Sequence, residues 1–185
     1  YVDQNGDHRI DSKDRVALGS AAPDFFGGFY TQFKYKGFAL GAEFSYSKGN
    51  MAYNAVRNQL EGMNTLGNQS IAVLNRWSLD GQVTDMPRVQ HNDPYRSTSF
   101  SERWLEDASY LRMKSVTLSY SFNKTVLNFF RSGTLYVSGE NLLTATKYLG
   151  LDPEFSYSYG EMSQGLDYAK MVQPKSVKFG VNLKF

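Results

Sequence analysis

Hydrophobic and polar residues alternate strictly over the last ten residues of the chain, 176–185. The apolar positions are Val177, Phe179, Val181, Leu183 and Phe185. A period of two predicts a β-strand with one apolar and one polar face. A tilted strand needs about ten residues to cross a bilayer, whereas strands of soluble proteins usually have about five or six. The pattern therefore predicts a membrane-spanning strand with lipid on its apolar face and water on the other.

The same alternation recurs four times upstream and predicts strands near 25–36, 38–48, 111–122 and 133–143, in addition to 176–185. Lys36-Gly37 forms a two-residue turn, and its flanking residues Tyr35 and Phe38 both fall on the apolar face, as a hairpin requires. In the third strand the apolar positions change parity after Met113. This change predicts a β-bulge near Lys114-Ser115.

Short and long connections alternate between these strands. The turn at Lys36-Gly37 and the link 123–132 are short, whereas 49–110 and 144–175 are long, and a segment 1–24 precedes the first strand. Short turns on one side and long loops on the other are typical of bacterial outer-membrane barrels, which have eight or more strands. The predicted fold is all-β: a transmembrane antiparallel β-barrel, here its last five or so strands, with 1–24, 49–110 and 144–175 outside the cell.

Composition narrows the functional classes. Aromatic residues make up 15% of the chain, but no run approaches the eighteen or so apolar residues of a membrane-spanning helix. The net charge is only +2 and no Lys/Arg cluster suggests nucleic-acid binding. The absence of cysteine excludes disulfides and Cys-ligated zinc. Tyr1 opens a stretch unlike a signal peptide, so we expect the chain to be the C-terminal part of a longer exported protein.

An acidic run at the start of the chain resembles the calcium loop of an EF-hand. Its oxygen donors at loop positions 1, 3, 5, 7, 9 and 12 are Asp3, Asn5, Asp7, the Arg9 carbonyl, Asp11 and Asp14. The loop departs from the EF-hand pattern at position 6, where His8 replaces glycine, and at position 12, where Asp replaces Glu. The prediction is a Ca²⁺ site, and the alternative is an Asx-rich turn around Asn5-Gly6 with solvated carboxylates.

Six aromatic residues of the long loops are candidate contacts for a sugar ring or a protein partner: Trp77, Trp104, Tyr148, Phe155, Tyr157 and Tyr159. The alternative for each is packing within its own loop. The acidic pairs Glu106/Asp107 and Asp152/Glu154 are poor glycosidase candidates, because nearby residues on a strand do not face each other across a sugar. With only two histidines, His8 and His91, the chain shows no catalytic constellation, and we expect it not to be an enzyme.

An ordered series of motifs is similar to one protein family over essentially the whole chain. The motifs are Asp3-Gln-Asn-Gly-Asp-His-Arg-Ile-Asp-Ser-Lys-Asp14, Pro23, Gly27-Gly28-Phe29, Asn75-Arg-Trp77, Asp85-Met-Pro-Arg88, Glu106-Asp-Ala-Ser-Tyr-Leu-Arg112, Asn141-Leu-Leu, Lys147-Tyr148 and Gly150-Leu-Asp-Pro-Glu154. Together they resemble the C-terminal β-barrel region of SusC/RagA-type TonB-dependent outer-membrane transporters.

The resemblance implies a 22-stranded barrel in the outer membrane of a Gram-negative cell, plugged by an N-terminal domain. It further implies contact with TonB, a SusD-like surface lipoprotein as partner, and uptake of oligosaccharides or peptides. Neither the plug nor the TonB-contacting segment falls within residues 1–185. The terminal residues Phe179, Val181, Leu183 and Phe185 resemble the signal that the barrel-assembly machinery reads, although Phe185 also suits an interfacial aromatic girdle.

A second interpretation belongs to another class of protein. In it the chain is a soluble or surface-exposed all-β module that binds carbohydrate, with the acidic loop holding Ca²⁺. A soluble sandwich should bury the apolar strand faces in one core, whereas a barrel wall leaves Phe29, Leu40 and Val181 facing lipid.

Overall fold

The computed structural model describes residues 1–94, 96–123, 131–155 and 164–184. Eight strands and one α-helix follow each other along these residues, together with 3₁₀ turns at Ser12–Asp14, Ile71–Asn75 and Glu102–Trp104. The elements are β1 (Phe25–Tyr35), β2 (Phe38–Lys48), β3 (Met51–Asn54), α1 (Ala55–Glu61), β4 (Leu105–Asp107), β5 (Tyr110–Asn123), β6 (Ser132–Thr146), β7 (Leu166–Asp167) and β8 (Ser176–Lys184).

Five of these strands form one antiparallel sheet in the order β1-β2-β5-β6-β8. They are the five stretches whose alternation predicts strands, and β5 and β6 extend slightly further than the pattern suggests. At the β1–β2 turn, Lys36 and Gly37 both have left-handed backbone angles, with φ of 44° and 87°. Two positive φ values match the twist of the flanking strands, so this tight turn fixes the register of Tyr35 opposite Phe38.

A β-bulge interrupts β5 at Lys114, as the change of parity predicts. Met113 pairs with Phe44 and Ser115 pairs with Glu43, so Lys114 is the extra residue relative to β2. On β6 the ladder passes from Glu140 to Leu143 across the same point. The bulge lets Met113 and Val116 share the apolar face although their separation in sequence is odd.

The apolar face of the sheet is uncovered in the part of the chain that the structure describes. Phe29 stacks on Phe44 with ring centroids 4.7 Å apart, and Phe38 lies 4.6 Å from Tyr120, but these contacts run along the face and do not bury it. Phe33 is 69% exposed and Phe179 is 81% exposed. A face of large exposed apolar side chains is expected where a sheet meets lipid or another protein. None of the described helices is long and apolar enough to cross a membrane.

The long connections fold together into a second, compact unit, which we call the loop body (residues 49–94, 96–109, 147–155 and 164–173). A three-stranded sheet in the order β4-β3-β7 lies at its centre, with β3 antiparallel to β4 and parallel to β7. The composition of this loop, rich in Asn, Gln, Leu and Ala with little proline, predicts helices at Met51 to Met63 and Ser70 to Trp77, and both predictions are wrong in part. In the first segment, strand β3 occupies the first four residues, and α1 begins only at Ala55 with Asn54 as its N-cap. The second segment contains only the 3₁₀ turn Ile71–Asn75.

The buried apolar side chains of the described residues lie in this loop body and not in the large sheet. One cluster contains Ala52, Ala108 and Tyr148, and a second contains Met63, Val73 and Met86. The fold therefore consists of a two-faced wall and a small core built from its long loops.

Candidate functional site

A cluster of charged residues fastens the second long loop to the polar face of the sheet. Arg112 lies beside Ser45 and Thr144 in the ladder and is only 3% exposed. Its guanidinium donates to the Asp152 carboxylate, to Glu154 at 3.0 Å and to the Thr144 hydroxyl at 3.0 Å. Lys114, the bulge residue, donates to Glu154 at 2.7 Å. A forked guanidinium shared between two carboxylates fixes the position of the loop relative to the sheet.

Asp152 is the most enclosed carboxylate of this cluster, and burial acts to raise its pKa. Hydrogen bonds from Arg112 and from the backbone amides of Glu154 and Gln173 outweigh burial, so the pKa lies below its ordinary value. Asp152 is therefore ionised at neutral pH. The charge of a buried arginine is compensated by an adjacent ionised carboxylate, whereas burying either charge alone would destabilise the fold.

Glu106 on β4 connects the two long loops through its two carboxylate oxygens. One oxygen accepts from Arg57 of α1 at 2.9 Å, and the other accepts from the backbone amide of Leu149 at 2.9 Å. Burial acts to lower the pKa of Arg57, but its hydrogen bonds and charges with Glu106 and Glu61 dominate and raise it. This side chain therefore stays positively charged and holds Glu106 in place.

Tyr148 connects two parts of the second long loop. Its hydroxyl donates to Asp167 on β7 at 2.6 Å, and its ring stacks with Phe155 at 5.5 Å. Burial, followed by the hydrogen bond to Asp167, raises the pKa of Tyr148, so the phenol remains protonated and continues to donate. Asp167 is itself buried and also accepts from the amide of Ala169.

The loop aromatics differ in how far they can meet a ligand. Trp104 is 1% exposed, and the guanidinium groups of Arg57 and Arg103 lie 5.7 and 5.1 Å from its ring. Tyr148 is buried and Phe155 packs on it, so these three rings belong to the interior of the loop body. Trp77 is half-buried and lines an open cleft. The remaining two candidates, Tyr157 and Tyr159, lie outside the described residues.

The cleft beside Trp77 separates the leading segment from the loop 77–105 and has a volume of about 1240 Å³. Val2, Ile10 and Leu18 contribute apolar lining from one side, and Met86 and Leu105 from the other. The Arg88 guanidinium lies 5.9 Å from the Trp77 ring and covers it in part.

The carboxylates of the acidic loop accept hydrogen bonds from backbone amides. Asp3 accepts from the amides of Gly6 and His8, and Asp14 accepts from Gln4 and Asp11. These amide bonds lower the pKa of Asp14. Within the described ranges, no three His, Cys, Asp or Glu side chains are grouped so that they could hold a metal ion. His8 has a φ of 61°, the left-handed conformation that suits the usual glycine of an EF-hand loop. The calcium site stays a prediction.

Comparisons with known proteins identify the relatives of this fold. No protein-family model matches the chain. Over its whole length it is similar to TonB-dependent receptor P3 of Formosa agariphila at 32% identity and to TonB-dependent receptor SusC of Bacteroides thetaiotaomicron at 26%. The solved RagAB peptide transporter superposes on 96% of the chain with a TM-score of 0.77 and 29% identity. The chain is a relative of the SusC/RagA-type TonB-dependent receptors.

The chain spans about a fifth of these relatives, namely 19% of the P3 receptor, 17% of SusC and 19% of the superposed RagAB chain. Because the chain is a relative of SusC/RagA-type receptors, its five-stranded sheet is a section of a transmembrane antiparallel β-barrel wall. The predicted fold class is confirmed. The terminal residues Phe179, Val181 and Leu183 lie on the exposed apolar face of this wall, whereas Phe185 lies outside the described residues.

The sequence-based prediction of the site did not include three residues that organise the loop body. They are Arg112, Glu106 in its connecting role, and Asp167. The acidic pairs considered for glycoside hydrolysis are instead bound to cations, Glu106 to Arg57, and Asp152 with Glu154 to Arg112. One signal was available in the sequence. Arg112 stands between Leu111 and Met113 near the start of a strand that, apart from Lys114, consists mainly of apolar and hydroxyl-bearing residues, and such a charge needs a partner.

Proposed function

We propose that residues 1–185 form part of an outer-membrane nutrient importer of the TonB-dependent type. The observation that carries this proposal is the apolar face of β1, β2, β5, β6 and β8, whose large side chains are exposed or half-buried in a chain that matches TonB-dependent receptors from end to end. In a soluble protein such a face would have to be buried, whereas a lipid bilayer accepts it directly.

The proposed cargo is an oligosaccharide or a peptide. Support for a peptide comes from the RagAB peptide importer, to which the chain is 30% identical with a TM-score of 0.72. An oligosaccharide is the other cargo that the family resemblance implies. The buried positions of Trp104 and Tyr148 leave fewer loop rings for stacking on sugars than the sequence suggests. The cleft beside Trp77, with its apolar and arginine side chains, is compatible with a peptide.

The proposed partners are a SusD-like lipoprotein on the outer surface, TonB acting through a part of the receptor outside residues 1–185, and the barrel-assembly machinery. The loop body exposes large apolar side chains that its own core does not use. Ile71 and Leu74 lie three apart in a 3₁₀ turn and hence on one side of it, at 83% and 72% exposure. Exposed apolar side chains of this kind support an extracellular protein contact.

A soluble carbohydrate-binding module is the alternative function, and one experiment separates it from the importer. The full-length gene product is purified from isolated outer membranes in mild detergent, and co-purifying molecules are identified by mass spectrometry. An equimolar lipoprotein together with a bound glycan or peptide is the result expected for the importer. A protein that stays monodisperse without detergent, with no lipoprotein attached, would overturn the importer and favour the module.

A further inference from the structure

The two long loops share side-chain contacts that neither loop could form alone. Glu106 of the first loop accepts a hydrogen bond from the backbone amide of Leu149, 43 positions away in the second loop. Asp167 accepts from Tyr148 within the second loop and is paired with Asn54 of β3 in the first. Ala52 and Ala108 from the first loop share a core with Tyr148 from the second. Each loop therefore supplies part of the other's interior.

Backbone pairing reinforces these side-chain contacts. Strand β3 of the first loop pairs in parallel with β7 of the second, and the amide of Tyr53 donates to the carbonyl of Gly165 at 2.7 Å. Displacing either loop would break this ladder and leave backbone groups without partners inside the loop body. Motion of one loop alone is therefore more costly than motion of both together.

Arg112 is the point at which this body is fixed to the wall. The guanidinium lies on the polar face of β5, is almost fully buried and is shared between Asp152 and Glu154 of the second loop. Removing it would leave two carboxylates close together in a partly buried site, with Lys114 as the remaining cation paired with them among the described residues. Breaking a buried ion pair from one side in this way is strongly destabilising.

We propose that the described parts of the two long loops undergo local opening as one cooperative unit, and that Arg112 is the positioning residue that anchors this loop body to the barrel wall. A disturbance at the anchor is transmitted from the second loop to the first through Tyr148, Asp167 and Glu106. The proposal does not depend on the cargo or on the identity of a partner.

Hydrogen exchange on the full-length receptor in lipid nanodiscs tests the proposal. In Arg112→Met, we expect amide exchange to accelerate on the order of tenfold or more in 147–155 and 164–173, and also in 51–57 and 102–108 of the other loop. The Arg112→Lys variant, which keeps the charge but loses the forked geometry, should show a smaller increase in the same segments. Faster exchange confined to 147–155, with 51–57 and 102–108 unchanged, would overturn the coupling.

Two controls distinguish this result from misfolding. Lys178→Met removes the exposed pair between Lys178 and Glu140 on the same polar face and should leave exchange in both loops unchanged. Glu106→Gln perturbs the first loop and should accelerate exchange in 147–155 of the second, because coupling is reciprocal. Both variants must show the heat-dependent electrophoretic shift of an assembled barrel. If Glu106→Gln passes that check and leaves 147–155 protected, the two loops move independently and the proposal is wrong.

Discussion

Tyr136 lies across Gly180 on the polar face of the sheet, where the two residues are direct partners in the β6–β8 ladder. A Cβ atom built at position 180 would lie 2.1 Å from the Tyr136 ring, so the ring occupies the space above the glycine. An aromatic ring that covers a glycine on the neighbouring strand protects the backbone and fixes the register.

This contact predicts that Gly180→Val destabilises the wall by about 1–3 kcal/mol, because the added side chain collides with the ring. The measurement is the assembled fraction after urea titration of the receptor in detergent. Tyr136→Ser combined with Gly180→Val should recover most of the loss, whereas Asn182→Val at the next exposed polar position should have little effect. Equal losses at 180 and 182 would contradict a specific ring–glycine contact.

The bulge at Lys114 predicts that deletion of this one residue is far more damaging than its replacement. Deletion moves residues 110–113 to the opposite face and separates Arg112 from Asp152, at a cost of about 3–5 kcal/mol for the broken buried pair. Lys114→Ala keeps the backbone bulge and loses only a partly exposed ion pair, so it should cost about 1 kcal/mol or less. Heat-dependent electrophoretic mobility measures assembly of both variants, and similar yields would show that the bulge does not set the register.

Two neighbouring residues of β8 should differ strongly in how much a new charge destabilises the wall. Val181→Lys places an ammonium group on the lipid face and should cost about 2–4 kcal/mol near the middle of the membrane. Asn182→Lys places the same group on the polar face and should cost much less. Folding yield into lipid vesicles is the measurement. Equal tolerance of the two substitutions would argue against a lipid-facing wall.

The lowered pKa of Asp152 predicts a loss of stability in acid. A carboxyl group whose pKa is lower in the folded state contributes stability that is fully present above its unfolded pKa and disappears as pH falls through the folded value. The difference in melting temperature between the native receptor and Asp152→Asn should therefore be constant from about pH 5 to 8 and shrink below about pH 4. A difference that persists undiminished at pH 3 would mean that the ionised carboxylate is not the source of the stability.

The acidic loop predicts a calcium response that depends on His8. His8→Gly relieves a left-handed φ at the position where EF-hand loops carry glycine, and it should tighten Ca²⁺ binding several-fold in calorimetry. Asp3→Ala/Asp7→Ala should abolish the heat of binding. No heat from the native receptor at millimolar Ca²⁺ would leave the loop as an Asx-rich turn, in which Asp3 and Asp14 serve only the backbone amides.

The wall could be predicted from sequence because its information is local. Alternation at Phe29 and Phe33, the turn at Lys36-Gly37 and the parity change after Met113 each specify one geometric feature. The loop body could not be predicted in the same way, because β3 forms by pairing with β4 and β7, which lie far away in the chain. That pairing overrides the helical tendency of residues 51–54.

The candidate site also depends partly on local sequence patterns and partly on long-range contacts. Trp104 is a loop aromatic by sequence, but its burial beside Arg57 and Arg103 depends on long-range packing. Arg112 carries an unusual charge for its strand, yet nothing in the sequence names Asp152 and Glu154 as its partners. Local patterns identify which residues are exceptional, and tertiary contacts decide what they do.

The parallel pairing of Tyr53 with Leu166 has a consequence for the order in which this protein matures. Between these residues the chain passes through β5 and β6, so the pairing closes a long loop that contains two of the five strands of the wall. Such a closure is entropically unfavourable until the intervening strands have ordered and shortened the effective distance. The hairpin β1–β2 and the β5–β6 ladder should therefore form first, with the loop body completed last, after the strands of the wall are fixed.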